Sequence, residues 1–352
     1  MKKLFPIFGL ALLSACGHKE STETSGVITL ENPSFTTDTI AVNVGDEIFN
    51  ANDYYGFDLS EDASTVYSMT LVDRHPFERD GPNRVPDFVN YFQALPNEEF
   101  LLSNSNSSGI YSLSGELVRK LDLTTESVSG FDFEKSGFLT NTIHLSADKS
   151  KAISLPKAFT GGISGLGIIN LESMKGETLA IPEMKITEKY RVTFREGGSS
   201  ASSGDFEEIQ EVNGDFIIHS SATSDSYIFD PILDSLRLLT FPHQLVPRFK
   251  TGDFQTEVDS RERMSEVSME MHKLIDFGRF YWDEENGRYL RFAIRNGDYF
   301  VFVYSEDFEL QAEGKFEGFI SIYNKSFVKE GKLYSYITVE ENPGFLVYDF
   351  NF

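Results

Sequence analysis

Residues 208–241 read EIQEVNGDFIIHSSATSDSYIFDPILDSLRLLTF, and this stretch decides the fold. It contains four short runs rich in β-branched and aromatic residues: Glu208–Val212, Asp215–His219, Ser226–Phe229 and Leu236–Phe241. Asn213-Gly214 separates the first two runs, and Asn-Gly is the strongest short hairpin signal because a type I′ turn needs positive φ at both central residues. The stretch therefore predicts four consecutive antiparallel strands.

The same order of strands and turns recurs along the chain. A strand ending in a bulky apolar residue followed by a small polar one is found at Tyr67-Ser68, Tyr111-Ser112, Ile169-Asn170, Phe229-Asp230, Tyr304-Ser305 and Tyr348-Asp349. A tight-turn signal precedes each landmark, at Asn52-Asp53, Asn97-Glu98, Asp148-Lys149, Asn213-Gly214, Asn286-Gly287 and Glu330-Gly331. Repeats of this size with four strands each are typical of propellers. We expect an all-β, six-bladed β-propeller of four-stranded blades, with a pair of β-sandwiches as the alternative.

The last repeat lacks sequence for its outermost strand, since the chain stops four residues after Tyr348. An N-terminal strand, either Val27–Leu30 or Thr39–Val44, is expected to fill that place and close the ring. The composition agrees with a β protein, because the 32 Phe and 15 Tyr against a single Trp favour strands that bury aromatic side chains.

The longest interval between landmarks, the 75 positions from Phe229 to Tyr304, contains a segment of helical periodicity. Apolar residues near 256–275 fall close to a helical spacing, which predicts one inserted amphipathic helix. This helix either packs as a cap on a face of the propeller or serves as a docking helix or a lid over the channel mouth. The candidate partner-binding residues are on this helix and in the Ser-rich segment 196–204, which is expected to be a mobile loop: Met264, Val267, Met271, Ser199 and Ser200.

The N-terminus carries an export signal. Lys2 and Lys3 precede an apolar run that is too short to cross a bilayer, and the run ends in Leu13-Ser14-Ala15-Cys16. This ending resembles a bacterial lipobox, which implies cleavage between Ala15 and Cys16 and acylation of the cysteine. We expect a signal peptide over 1–15, a polar tether over 16–26 and one propeller domain over 27–352. Gly17 follows the cysteine, which favours the outer membrane and leaves the leaflet open.

The charge balance limits the partners. The chain has a formal net charge of −24 at pH 7, spread along its length. Phosphate binding needs basic patches that release counterions, so nucleic acid is not an expected partner. The expected partners are the membrane, through the lipid anchor at Cys16, and an envelope protein, peptide or glycan.

One segment supports a family resemblance. Residues 145–153, LSADKSKAI, resemble the Ser-Pro-Asp-Gly-Lys hairpin of TolB-like propeller repeats, although the proline and glycine are missing. The wider pattern resembles an uncharacterised family of six-bladed propeller lipoproteins with a domain of unknown function. Its elements are the lipobox, the Gly81-Pro82-Asn83 turn, a strand pair over 283–291 and a final strand over 345–349. The resemblance spans residues 27–352. It implies a fold and a cellular address but no activity.

No arrangement of chemistry-bearing residues stands out in the sequence. The six histidines share no spacing typical of a metal site, and the single cysteine is committed to the lipid. No cofactor or metal is therefore expected. Asp38-Thr39-Ile40 and Asp234-Ser235-Leu236 resemble a short acceptor sequence for O-linked glycans, so Thr39 and Ser235 are candidate modification sites.

Two functional hypotheses follow. The first is a non-enzymatic, lipid-anchored envelope propeller that binds a peptide, protein or glycan. The alternative is a channel-based hydrolase or lyase, similar to a lactonase, in which acidic residues of the inner strands hold a divalent cation. Both rest on fold-level analogy, because a fold alone does not specify a function.

Overall fold

The structure is a computed structural model, which describes residues 27–30, 35–41, 53–61, 67–86, 89, 91–104, 107–124, 126–131, 143–157, 162–196, 198–318, 320, 326–339 and 342–352. The expected signal peptide 1–15 and tether 16–26 lie outside these residues. No helix in the described ranges is both long enough and apolar enough to span a bilayer.

The chain is mainly β. Its strands in chain order are β1 (Ile28–Thr29), β2 (Phe35–Ala41), β3 (Asp53–Glu61), β4 (Tyr67–Pro76), β5 (Tyr91–Leu95), β6 (Glu99–Ser103), β7 (Ser108–Ser112), β8 (Leu117–Leu121), β9 (Ile143–Leu145), β10 (Lys151–Ser154), β11 (Leu166–Asn170), β12 (Lys175–Leu179), β13 (Arg191–Glu196), β14 (Ser199–Gly204), β15 (Glu207–Val212), β16 (Asp215–Ser220), β17 (Ser226–Asp230), β18 (Ser235–Leu239), β19 (Glu257–Val258), β20 (Asp276–Asp283), β21 (Arg288–Arg295), β22 (Asp298–Ser305), β23 (Leu310–Phe316), β24 (Ser326–Lys329), β25 (Lys332–Val339) and β26 (Asn342–Phe350). A 3₁₀ helix covers Pro182–Tyr190, and one α-helix, α1, covers Arg261–Met271.

Four sheets share one plan, in which four strands consecutive in sequence pair antiparallel with their neighbours. These sheets are β5–β8, β9–β12, β15–β18 and β20–β23. Strands β15–β18 correspond to the four runs of residues 208–241, and every strand end lies within two residues of the predicted one. The prediction of four-stranded antiparallel units is thus confirmed for these sheets.

The predicted hairpin turns have the backbone that their residues favour. Asn213 and Gly214 have φ of 53° and 88°, and Asn97 and Glu98, between β5 and β6, have φ of 66° and 56°. Positive φ at both central residues matches the twist of the flanking strands, which is why short hairpins use such turns.

The N-terminal segment adds strands to the last two sheets. β2 pairs antiparallel with β26 and completes the sheet of β24, β25 and β26. Thr39 lies within β2, so the expected closing strand is present but begins at Phe35. Val27–Leu30, the other segment considered for this place, contributes β1, which pairs in parallel with β23 of the preceding sheet.

The first repeat differs from the prediction. Tyr67-Ser68 begins β4 instead of ending a third strand, and Asp53 begins β3 instead of lying in a turn. These two long strands pair only with each other in the described part of the chain. Alternating apolar and polar residues fit a long hairpin as well as two shorter strands, so the sequence pattern did not distinguish them.

Hydrophobic packing joins five of the sheets in succession, from β5–β8 to the last sheet. The other five landmarks lie on the third strands of their sheets and are buried: Tyr111, Ile169, Phe229, Tyr304 and Tyr348. Separate core clusters lie between β5–β8 and β9–β12, between β9–β12 and β15–β18, between β15–β18 and β20–β23, and between β20–β23 and the last sheet. Face-to-face packing of successive small sheets gives a propeller-like architecture.

A second layer is built from two insertions. β13 and β14 form a hairpin, β19 pairs in parallel with β13, and α1 packs against these strands. The expectation of a mobile loop over 196–204 was wrong, because Ser199–Gly204 is strand β14 in register with β13. The helix is also shorter than predicted: Ser260 caps it by accepting a hydrogen bond from the Arg263 N–H, and the residues before the cap contribute β19.

Candidate functional site

The first strands of successive sheets contact one another through a repeated glutamine contact. The side chain of Gln93 on β5 accepts from the Leu145 N–H at 2.8 Å and donates to the Leu145 carbonyl at 2.9 Å, which joins β5 to β9. The Gln210 side chain on β15 makes the same pair of bonds to the N–H and carbonyl of Phe280 on β20. Each amide therefore satisfies one exposed peptide unit of the neighbouring first strand.

A second polar contact accompanies each glutamine. Tyr91, two residues before Gln93, places its hydroxyl 2.8 Å from His144 Nδ1. Glu208, two residues before Gln210, accepts two hydrogen bonds from the Arg279 guanidinium. Residues two apart on a strand share a face, so these contacts line the same side of their first strands.

The charged groups of this side influence one another across the sheets. Burial lowers the pKa of His144 to about 3, and the positive charge of Arg279 adds to this effect, so His144 is neutral at physiological pH. Burial also raises the pKa of Tyr91, and the charges that act on it include Arg279, Glu208 and Glu211. First strands of four sheets thus share one polar region.

A cavity of about 330 Å³ opens from this region, between β15, β20 and β24. Its wall combines polar and aromatic side chains: Gln210, Glu211, Val212, Asn213, Arg279, Phe280, Tyr281, Trp282, Ser326, Phe327 and Val328. The volume lies at the lower end of the range typical of small-molecule sites. Phe327 is 38% exposed and stacks its other face on Tyr334, with a centroid separation of 4.9 Å.

Tyr281 contributes a phenolic hydroxyl to this wall. Its side chain is buried, and its hydroxyl makes no well-aligned hydrogen bond to the described part of the chain. Burial raises the pKa of Tyr281, and the neighbouring Ser326 hydroxyl opposes the rise. A buried hydroxyl without a good partner is costly, so a polar ligand or water in the cavity would relieve that cost.

The cavity lies at the edge of the sheets from which the N-terminal segment enters. Tyr281 and Trp282 are near the end of β20, just before its turn to β21. β1 pairs in parallel with the start of β23, with Ile28 opposite Ala312, and β23 starts at the same edge. The described part of the chain therefore begins, with Val27, at the edge that contains the cavity.

The candidate partner-binding residues of the sequence analysis are in the second layer, away from this cavity. Val267 and Met271 are each 1% exposed, and Met264 packs partly buried against the same cluster. Their helical spacing arises from packing on β13 and β14, where Ser268 also contacts Ser203, so Val267 and Met271 are not accessible to a partner. Ser199 and Ser200 are exposed at the start of β14.

The remaining candidate residues are distributed over other parts of the chain. Ser235 is exposed at the start of β18, and Thr39 lies opposite Leu346 in the β2–β26 pair. Ala15 and Cys16 are outside the described residues. Among the residues the structure describes, no group of three or more His, Cys, Asp or Glu side chains is arranged to hold a metal ion.

Sequence reasoning missed the polar side chains of the first strands. The available signal was the alternation of polar residues in the first run of each repeat, as in Tyr91 and Gln93 or Glu208 and Gln210. An ordinary strand with one solvated face alternates with the same period, so the alternation alone did not identify these side chains.

Comparisons with known proteins found a matching family model and similar solved structures. A family model described as Domain of unknown function (DUF4221) matches residues 31–327. A solved structure of a DUF4221 family member from Bacteroides vulgatus is 14% identical, covers 90% of this chain and 96% of its own, and has a TM-score of 0.56. A protein from Bacteroides fragilis named as an exported protein is 8% identical, covers 93% of this chain and 99% of its own, with a TM-score of 0.50. A more distant likeness, with a TM-score of 0.32 and 11% identity, is to the Dos1 propeller, covering 69% of this chain and 51% of that one. No curated protein matches.

Proposed function

This chain belongs to the DUF4221 family of unknown function, and we propose that it is an exported, lipid-anchored six-bladed propeller that binds a short glycan in the cavity between β15, β20 and β24. The proposed role is binding without catalysis. The observation that carries it is the wall of this cavity, where aromatic rings and planar hydrogen-bonding groups face a space of about 330 Å³.

The chemistry of the wall matches a sugar ring. A pyranose has an apolar C–H face, which packs on flat aromatic side chains, and a rim of hydroxyls, each of which can donate and accept. Phe327 and Trp282 supply the aromatic surface, while Gln210, Glu211 and the Tyr281 hydroxyl supply acceptors and donors. A cavity of this size holds one or two sugar residues and fits neither a folded partner nor a long peptide.

The cell-envelope location rests on the N-terminus. Acylation of Cys16 would hold the chain at the outer membrane, and the tether of residues 16–26 could span at most about 40 Å when extended. Because the chain enters the described structure at the edge that contains the cavity, that edge would lie on the membrane side. Replacement of Cys16 by Ser should release the protein from the membrane fraction and abolish labelling by a palmitate analogue, and unchanged labelling would refute the anchor.

Binding is tested with the full chain on an array of neutral oligosaccharides, followed by calorimetric titration of the best binder. Phe327→Ala and Glu211→Gln should each lower the affinity about tenfold, which equals about 1.4 kcal/mol. The matched control is Phe249→Ala, since Phe249 is 45% exposed and pairs with Thr223 in the connection at the opposite edge of its sheet. The absence of saturable binding, or an equal loss in the control, would refute the proposal. Peptide binding with the same variant profile would retain the site and overturn the glycan assignment.

A further inference from the structure

A lysine and two aspartates are enclosed together where the second layer meets the sheets. The Lys250 side chain is 1% exposed, and its Nζ lies 2.7 Å from Asp205 Oδ1 and 2.5 Å from Asp276 Oδ1. The side chains of Asp205 and Asp276 are 1% and 3% exposed. Lysine and aspartate are among the residues least often buried completely, so a dry group of three is unusual.

The backbone holds these residues in place from three directions. Asp205 follows β14 and donates its N–H to the Tyr190 carbonyl at 3.1 Å. Lys250 lies between β18 and β19 and donates its N–H to the Ala222 carbonyl at 2.9 Å, and Asp276 is the first residue of β20. Reacting groups held this closely behave as if at very high local concentration.

The surroundings exclude water on the lysine side. The Tyr190 ring lies with its centroid 5.8 Å from Lys250 Nζ, and it belongs to a buried cluster with Val192 and Met271. On the other side, His272 Nδ1 lies 2.9 Å from Asp276 Oδ2, and the His272 side chain is 41% exposed. The group therefore has a dry interior and one route for protons to solvent.

The protonation of the two aspartates differs. Burial raises the pKa of Asp205, against the opposing effect of Lys250, and Asp205 Oδ2 has no hydrogen-bond partner in the described part of the chain. A buried ionised carboxylate oxygen without a partner is costly, which favours the protonated acid at Oδ2. The hydrogen bond that the His272 ring donates to the Asp276 carboxylate raises the pKa of His272, in keeping with an ionised Asp276.

We propose that Lys250 and Asp205 condense to form an intramolecular isopeptide bond, with Asp276 as the base. The geometry places the amine beside a carboxylic acid, and Ser221 Oγ, 2.6 Å from Asp205 Oδ1, donates to the oxygen that becomes the amide carbonyl. In a dry site the reaction is favourable, because it replaces a buried ion pair by a neutral amide and releases water.

The atoms and charges balance. The Lys250 ammonium passes one proton to Asp276 Oδ1, and the resulting amine attacks Cγ of protonated Asp205. The Nζ–Cγ bond forms, the Cγ–Oδ2 bond breaks, and the departing hydroxyl takes the second proton from nitrogen to leave as water. Asp276 ends protonated. The products are one amide N–H, one carboxylic acid and one water molecule, with no change in net charge.

The bond would enclose a whole sheet. Asp205 and Lys250 are 45 positions apart, and β15–β18 lie entirely between them. Cross-linking the ends of such a loop restricts the unfolded chain in the way that a disulfide does. A disulfide is not available to this protein, because Cys16 is its only cysteine.

The test is peptide mass spectrometry of the full chain after denaturation and trypsin digestion. Arg195, Arg237, Arg248 and Arg261 bound the two relevant fragments. With the bond present, cleavage after Lys250 is blocked, and fragment 249–261 stays joined to fragment 196–237 at the sum of their masses minus one water. Separate fragments with cleavage after Lys250 would show an ion pair only and overturn the proposal.

Variants identify the roles. Lys250→Arg keeps the positive charge and should give unlinked fragments. Asp205→Asn should condense with loss of ammonia and reach the same linked mass as the wild type, which distinguishes this chemistry from any other modification of Lys250. Asp276→Asn should lower the linked fraction, and full linkage in that variant would overturn the assignment of Asp276 as the base.

Discussion

Phe229 offers the sharpest test of the argument that the repeated landmark residues hold the sheets together. It lies on β17, it is 0% exposed, and it pairs across the strands with Phe216. Its ring belongs to the cluster between β9–β12 and β15–β18, together with Ile168 and Tyr227. Replacing Phe229 by Ala would therefore open a cavity between two sheets.

The expected loss is large against the stability of the domain. Truncation of a fully buried Phe to Ala typically costs about 3–5 kcal/mol, from lost transfer energy and from the cavity left behind. Domains are stable by only about 5–15 kcal/mol, so this one change should remove a substantial fraction of the folding free energy. The Lys151 ammonium, 6.0 Å from the ring centroid, loses a minor cation–π contact as well.

Urea unfolding followed by far-UV circular dichroism measures this loss. Leu233→Ala is the matched control, because Leu233 is four residues further along, in the turn between β17 and β18, and is 73% exposed. The control should change the free energy of unfolding by less than about 0.5 kcal/mol. A midpoint shift for Phe229→Ala no greater than that of Leu233→Ala would refute the assignment of Phe229 to the core.

Three further predictions concern local features. Ser260→Ala removes the side-chain acceptor for the Arg263 N–H at the start of α1 and should cost about 1 kcal/mol in the same unfolding assay, whereas Ser260→Asp should retain the stability. Asn213 has φ of 53°, so Asn213→Ala should cost about 1–2 kcal/mol and Asn213→Gly very little, and equal losses would contradict the turn geometry. The hydrogen bond to Asp276 raises the pKa of His272 in the folded protein. Protonated His272 therefore stabilises the fold fully below the unfolded pKa near 6.5, and this stabilisation is lost as pH rises through the folded pKa. The dependence of the unfolding midpoint on pH above about 6.5 should accordingly weaken in His272→Gln.

Local sequence chemistry predicted most of the β structure. Turns such as Asn97-Glu98 and Asn213-Gly214 were identified because few residues tolerate positive φ, and that restriction operates within the turn itself. The burial of Phe229 and Tyr304 was likewise predictable, because each is a bulky residue at the end of an apolar run. Features decided by the immediate neighbours in sequence can be deduced from a single chain.

The second layer shows the limit of this reasoning. Residues 199–204, SSASSG, have a composition typical of a flexible loop, yet they form β14 because β13 pairs with them and α1 covers them. The apolar spacing of Val267 and Met271 fits a docking surface and a packed surface equally, and only the position of β13 and β14 decides between them. In residues 199–204, pairing with β13 therefore outweighs the low intrinsic strand propensity of the segment.

The cavity side chains could have been located with one more step of reasoning. In a propeller-like arrangement the first strand of each repeat faces its counterparts and cannot face bulk solvent, so polar residues there need partners from other first strands. Glu208 and Gln210 alternate on β15, and Arg279 and Tyr281 alternate on β20, which places each pair on one face. The sequence therefore contains the polar groups and their shared face. It does not contain the pairing of Glu208 with Arg279, because that pairing depends on how the two sheets pack against each other through the apolar side chains between them.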